Sequence, residues 1–163
     1  MKTIQVKVNG VLHCIACPPA KTLLDVLRED LGLTASKECC GKGECGSCSV
    51  LINDEAACSC LVLAGQADGQ GIITCEGIGL NPSLDVIQES FVEEGATQCG
   101  YCTPGIIVSA KAFLNGINHI PAVDEIKTAL GGNLCRCTGY TKIIKAVQTA
   151  AAKKSSEKET VKG

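Results

Sequence analysis

Apolar and polar residues alternate at the start of the chain. Ile4, Val6 and Val8 share one side of an extended segment, with Thr3, Gln5 and Lys7 on the other, which is the period of a half-buried strand. Asn9-Gly10 comes next and suits the left-handed angles of a two-residue hairpin turn, so "VLHCIAC" is expected to return as a second strand. The period then changes. Leu23, Leu24, Leu27 and Leu31 recur at helical spacing in "KTLLDVLREDLGL", with Thr22 and Asp25 placed as a capping box and Gly32 placed to end the helix. Further on, "SVLIN", "SCLVLA" and "GIITCEGI" are short apolar runs bounded by turn residues and read as more strands. This order, without a repeating βαβ unit, gives an α+β domain over residues 1–77.

From about residue 81 the period is helical. Asn81-Pro82-Ser83 opens "LDVIQESFVEE" and Thr103-Pro104 opens "GIIVSAKAFLNG", proline being favoured at a helix start. "PAVDEIKTAL" stops at Gly131-Gly132, and "TKIIKAVQTAAA" follows Thr138-Gly139. Four helices with short connections predict a small bundle over residues 78–152, joined to the first domain at "IGLN", residues 78–81. The end, "KKSSEKETVKG", residues 153–163, is polar and lysine-rich and is expected to be a disordered tail.

Composition sharpens this picture. Hydrophobic residues make up 45% of the 163, yet there are two Tyr, two Phe and no Trp, so the aromatics that usually supply buried area are scarce. Thirteen cysteines stand out instead, a density near that of disulfide scaffolds. Secreted disulfides, structural zinc and iron–sulfur clusters compete as explanations. The N-terminal stretch has no continuous apolar h-region of a signal peptide, and no run has the length of a membrane span. A reducing cytoplasm is therefore expected, where cysteine serves metals or redox chemistry rather than staples. The net charge of −2, the pI of about 5.7 and the lack of a basic stripe argue against nucleic-acid binding. His13 and His119 have no carboxylate or serine arrangement around them, so no catalytic acid, base or nucleophile is expected.

The chemistry lies in the cysteine spacings. Within "ECCGKGECGSC", Cys40, Cys45 and Cys48 follow C-x4-C-x2-C, and Cys60 follows in "SCL". This is the plant-type ligand pattern for a [2Fe–2S] cluster. Gly41, Gly43 and Gly46 would let the loop turn its thiolates inward and aim amide N–H groups at the sulfurs. Zinc is the alternative, but structural zinc normally shows two knuckles of paired cysteines. Cys39 beside Cys40, and Cys58 near Cys60, leave the ligand choice open on spacing alone. In the second half, "QCGYCTPG" holds Cys99 and Cys102 and "GNLCRCTGY" holds Cys135 and Cys137. Residues two apart leave a regular helix on different faces, so Cys135 and Cys137 must lie on an irregular turn. Both pairs precede expected helix starts, whose N–H groups suit anionic sulfur. A second [2Fe–2S] cluster is expected there, with zinc again the alternative. Arg136 has two readings, a charge set against the cluster or a partner carboxylate, and a plain surface residue. Tyr101 and Tyr140 are expected to be packing lids over the second site.

"CGKGECGSC" with "SCLVLAG", then "QCGYCTPG" and "GNLCRCTGY", resemble the small iron–sulfur subunit of the molybdenum hydroxylases, the xanthine dehydrogenase, aldehyde oxidoreductase and carbon monoxide dehydrogenase family. The likeness runs from about residue 3 to 150 in the family's domain order. It implies a β-grasp plant-type ferredoxin domain followed by a four-helix [2Fe–2S]-binding domain. It implies that Cys40, Cys45, Cys48 and Cys60 hold the cluster nearer solvent and flavin. Cys99, Cys102, Cys135 and Cys137 would hold the one nearer molybdenum. Gln98 and Cys137 would approach the molybdopterin cofactor of a large partner subunit, and FAD would sit in a medium one. The implied assembly is a hetero-oligomer, a dimer of heterotrimers, in which electrons leave the molybdenum site through both clusters to FAD or another acceptor. Cys39 departs from the glycine many relatives carry, which would alter a tight approach there, and Cys14, Cys17, Cys58 and Cys75 match no ligand position. For "CIAC" the expected reading is free thiols on a buried strand and turn, with an additional metal or a disulfide as the alternatives. A free-standing two-cluster ferredoxin and a zinc-stabilised interaction module are the rival functions.

Overall fold

A computed structural model describes residues 1–79 and 83–160. The alternation at the N-terminus forms β1 (Lys2–Val8), and Asn9 and Gly10, at φ 50° and 86°, turn the chain into β2 (Val11–Cys17) with Val8 opposite Val11. The Thr22 hydroxyl accepts from the Asp25 N–H at 3.1 Å, and the Asp25 carboxylate accepts from the Thr22 N–H at 3.1 Å. This capping box starts α1 (Leu23–Asp25), which runs on as a π-helical segment over Val26–Asp30. Strands β3 (Ser49–Ile52), β4 (Glu55–Cys58) and β5 (Gly71–Ile73) complete a five-stranded mixed sheet of order β2-β1-β5-β3-β4, in which only β1 and β5 run parallel. Ile4, Val6, Val8, Val50 and Ile72 bury one face of the sheet against Leu23, Val26 and Leu27. A helix held in the curve of a mixed sheet is the expected β-grasp arrangement.

Several local expectations change. "SCLVLA" is not a strand: Leu63 makes an isolated bridge to Thr22, and a single 3-10 turn over Ala64–Gln66 carries Ala64 and Ala67 into the core. The strand pairing with β3 is instead "EAAC", made antiparallel by a turn at Asn53 and Asp54, both at positive φ. "CEGI" is a short helix, α2 (Cys75–Ile78), rather than an extension of β5.

The second half is α3 (Val86–Glu93), α4 (Thr103–Asn115), α5 (Val123–Ala129) and α6 (Thr141–Thr160). Ile87, Phe91, Ile106, Ile126, Ile143 and Val147 form its own buried cluster. Pro104 stands in the first turn of α4, as expected. Helix α3 starts later than expected, with Asp85 as its cap: the Asp85 carboxylate accepts from the Ile87 N–H, and the Gln88 side chain accepts from the Asp85 N–H at 2.9 Å. The expected opening at Asn81-Pro82, and half of the "IGLN" joint, lie outside the described residues. Helix α6 continues to Thr160, past the Lys153 at which a disordered tail was expected. Ala150 and Ala151 are buried, Lys153 reaches Glu93 at 2.5 Å, and Lys154 donates to the Leu114 carbonyl, so tertiary contacts carry the helix beyond the point where its composition turns polar.

Candidate metal centres

The loop between the π-helical segment and β3 brings the first sulfurs together. Lys37 N–H donates to the Ser47 carbonyl at 3.0 Å and Ser49 N–H to the Gly46 carbonyl at 3.1 Å, closing the loop at its base. Cys45 and Cys48 are buried, and Cys40 and Cys60 half-buried. The Cys40 sulfur accepts from the backbone N–H of Lys42, at 3.4 Å, of Glu44 and of Cys45, which hold its thiol down at about 7. Burial pushes the Cys60 thiol up to about 11, and contact with Cys48 adds to this. Cys40 meets Cys45, and Cys48 meets Cys60. The glycines are needed where the loop is closest to its surroundings. Gly43 has φ 75°, and a Cβ there would lie 2.4 Å from Leu61 Cδ1; Gly46 has φ 68°, and a Cβ there would lie 2.6 Å from the Gly132 carbonyl oxygen.

The second set comes from two separate turns. Cys99 and Cys102 precede α4, and Cys135 and Cys137 lie on the irregular turn before α6. The Cys99 and Cys137 sulfurs stand 3.6 Å apart, and Cys102 meets Cys135. Two thiolates on one tetrahedral metal at ~2.3 Å are about 3.8 Å apart, so the Cys99–Cys137 separation suits two ligands that share one metal ion. The Tyr101 N–H and then Cys137 hold the Cys99 thiol below its ordinary value. Burial pushes Cys102 up to about 12. Burial also raises Cys135, but hydrogen bonds outweigh it, the first from the Thr138 hydroxyl at 3.1 Å.

Sulfur is the ligand type at both places: the second set meets in twos, and at the first, Cys40 meets Cys45 and Cys48 meets Cys60, with Cys39 and Cys58 also beside Cys45 and Cys48. Among the described residues no three Cys, His, Asp or Glu side chains converge on a site for a single ion. Paired thiols with amide and hydroxyl donors aimed at them fit a diiron centre, in which each iron takes two cysteines.

The tyrosines do more than cover. The Tyr140 hydroxyl donates to the Asn133 carbonyl at 2.8 Å and accepts from the Cys135 N–H at 2.7 Å, clamping the turn from inside. The Tyr101 hydroxyl donates to the Glu38 carbonyl of the other domain, and the Lys37 ammonium lies 5.8 Å from its ring centre. Gln98, Cys99, Arg136 and Cys137 are exposed on one edge, so in this single chain the second sulfur set is the more solvent-facing. Cys14 is exposed and Cys17 buried on β2, and Cys75 opens α2 with its thiol raised by burial to about 11. His13 lies in β2, and His119 pairs with Glu125 at 3.0 Å.

Two family models match in tandem: a 2Fe-2S iron-sulfur cluster binding domain over residues 6–78 and a [2Fe-2S] binding domain over residues 74–148. The nicotinate dehydrogenase small FeS subunit of Eubacterium barkeri is 51% identical over 148 residues, 91% of this chain and 94% of that one. The chain belongs to the iron–sulfur subunits of the molybdenum hydroxylase family. Quinoline 2-oxidoreductase from Pseudomonas putida 86 shares the fold with a TM-score of 0.90 at 41% identity, covering 96% of each chain. Aldehyde oxidoreductase from Desulfovibrio desulfuricans ATCC 27774 gives 0.91 at 39% identity over 96% of this chain, but only 18% of its own longer chain. The α+β reading, the ferredoxin-then-helical order and the [2Fe–2S] chemistry all stand with this family, and zinc is displaced as the explanation of the cysteines. Sequence reasoning missed Asn133, whose side-chain amide donates to the Gly46 carbonyl at 3.2 Å from across the domain boundary. Its place in "GNLCRC", directly before the ligand turn, was the available signal.

Proposed function

We propose that this chain conducts electrons within a multi-subunit molybdenum enzyme, holding one cluster on Cys40, Cys45, Cys48 and Cys60 and the other on Cys99, Cys102, Cys135 and Cys137. When bound, [2Fe–2S] clusters accept and release single electrons, at potentials set by hydrogen bonds to sulfur, charge and exposure. The chain's own part is to grip, hydrogen-bond and align. One contact carries the proposal: the Leu134 N–H donates to the Cys45 carbonyl at 2.9 Å. Cys45 is a ligand of the first set and Leu134 adjoins Cys135 of the second, so the two gripping loops touch through their backbones. Independent structural metals have no need of that contact; a relay does.

The exposed edge supports the direction of the relay. Gln98 adjoins Cys99 there, and Leu134 is 57% exposed nearby in sequence to Cys137. A thiol-rich edge with an apolar neighbour is a surface suited to cover by a partner. The large molybdopterin-binding subunit is placed on it, with the Gln98 amide, both donor and acceptor, and Cys137 against the pterin. The medium FAD-binding subunit belongs beside the Cys40 loop. The complex is a hetero-oligomer, a dimer of heterotrimers. Among the described residues no helix is long and apolar enough to cross a membrane, and thirteen cysteines, none of them in a disulfide, suit a reducing cytoplasm.

The native complex tests this. Purified through a tag on this chain, it should bring down a molybdenum-containing large subunit, carry about four iron atoms per small subunit as two diiron centres require, and show two distinct EPR signals after dithionite. A lone monomer that carries iron but binds no molybdenum protein would make the chain a free-standing ferredoxin and sink the proposal.

A further inference from the structure

The first site holds more thiols than a diiron centre uses, and one surplus thiol is built into it. Cys58 ends β4 opposite Ser49, half-buried rather than on the surface. The Cys48 sulfur has both the Cys60 and the Cys58 thiol as neighbours. The two flank Gly43 as well: its N–H donates to the Cys60 sulfur, and its carbonyl accepts from the Cys58 thiol at 3.8 Å. Between them, Ser59 is fully buried, its hydroxyl donating to the Cys48 carbonyl at 2.7 Å and its N–H to the same oxygen at 3.3 Å. That double tie fixes the backbone from which both cysteines project. Cys39 also touches Cys45, but it is exposed and lacks such an anchor.

We infer that Cys58 is a reserve ligand of the first cluster, able to take the position of Cys60 beside Cys48. It would bind as the thiolate, its S–H proton leaving to solvent, so ligand number and charge are kept when Cys60 is lost. This rests on the assignment of Cys60 as the resident ligand. Both thiols neighbour Cys48, and Cys58 ends β4 one anchored residue before Cys60, so the exchange does not call for a refolded strand.

The test uses the whole complex carrying Cys60→Ala, Cys58→Ala or both, read by iron content and by EPR after dithionite, with the helical-domain signal as an internal control of folding. Cys60→Ala should keep its full iron and a first-domain signal of altered g values. Cys58→Ala should keep the native signal. The double variant should lose the first-domain signal and half its iron while the helical-domain signal persists. A Cys60→Ala complex that has already lost half its iron, with the control signal intact, overturns the reserve role. A Cys60→Ala spectrum identical to the native one, with the change appearing in Cys58→Ala, overturns the assignment of Cys60 itself.

Discussion

Cys40, Cys45 and Cys48 lie on one short loop, whereas Cys102 and Cys135 come from turns separated by the whole of α4 and α5. The first site is therefore written largely in local backbone: glycines at positive φ, amides folded back on the Cys40 sulfur, and hydrogen bonds from Lys37 to Ser47 and from Ser49 to Gly46 that close the loop. Only Cys60 must be brought in from elsewhere, and β4 delivers it. The second site is written in packing. Its turns meet because Ile106, Ile126, Ile143 and Val147 draw α4, α5 and α6 together, and because Tyr140 and Asn133 fix the ligand turn against its surroundings. A loop can order before a domain is complete; a site shared between helices cannot. Damage to packing should thus be read out at the second site first.

The largest effect expected is from Gly105→Ala. Gly105 lies in the first turn of α4, and a Cβ there would stand 2.2 Å from the Gly46 carbonyl oxygen and 3.2 Å from Ser47 Cα. Both neighbours are backbone, so no side chain can rotate away. Helix α4 or the loop must move, at no less than the ~1–3 kcal/mol of an overpacked core. Thermal unfolding should shift down by several degrees, and the EPR signal of the helical domain should broaden or vanish while that of the ferredoxin domain survives. Loss of the ferredoxin-domain signal first would reverse the comparison and make the loop the weaker structure.

The same division explains what the sequence made legible. The hairpin at Asn9-Gly10, the Thr22–Asp25 capping box and the C-x4-C-x2-C loop are local devices, and each forms where the residues indicate. The spacing of the second sulfur set was visible too, but not what holds it. Tyr140 bonding back to Cys135 is local but leaves no mark in the spacing of apolar and polar residues, and Asn133 reaching Gly46 depends on how elements distant in sequence meet. Strand β4 escaped because Glu55, Ala56 and Ala57 have weak strand preference, although Asn53-Asp54 before it carried the signal of a hairpin turn. "SCLVLA" misled in the opposite sense, since an apolar run can be buried by a turn as well as by a strand. The polar stretch after Lys153 read as disorder because composition does not report Glu93 or the Leu114 carbonyl waiting across the groove.

Tyr140→Phe sharpens the comparison with an intermediate effect. It removes one hydroxyl that both accepts from Cys135 and donates to Asn133, leaving a half-buried N–H next to a ligand sulfur without its partner. The cost is about 1–3 kcal/mol for an orphaned group, or roughly 2–12 °C in midpoint for a chain of this size. Heating the complex while following both EPR signals should show the helical-domain centre lost earlier than in the native protein, with the ferredoxin-domain centre unmoved. Equal loss at both would mean that the two sites melt as one unit.

Ser59→Ala is the mirror experiment, placed in the ferredoxin domain and expected to be the smallest. Ser59 is fully buried, and its hydroxyl donates to the Cys48 carbonyl. Unlike the Cys135 N–H, that carbonyl keeps a partner when the hydroxyl goes, because the Ser59 N–H also donates to it. The loss is then that of one replaceable hydrogen bond, about 0.5–1 kcal/mol, and not of a group stranded without one. The change should appear as a slight earlier loss of the ferredoxin-domain signal on heating, with the helical-domain signal as the unmoved reference. A larger fall for Ser59→Ala than for Tyr140→Phe would show that the first site leans on its link to β4 more than on its own loop, and the contrast between a locally written site and a packed one would have to be drawn the other way.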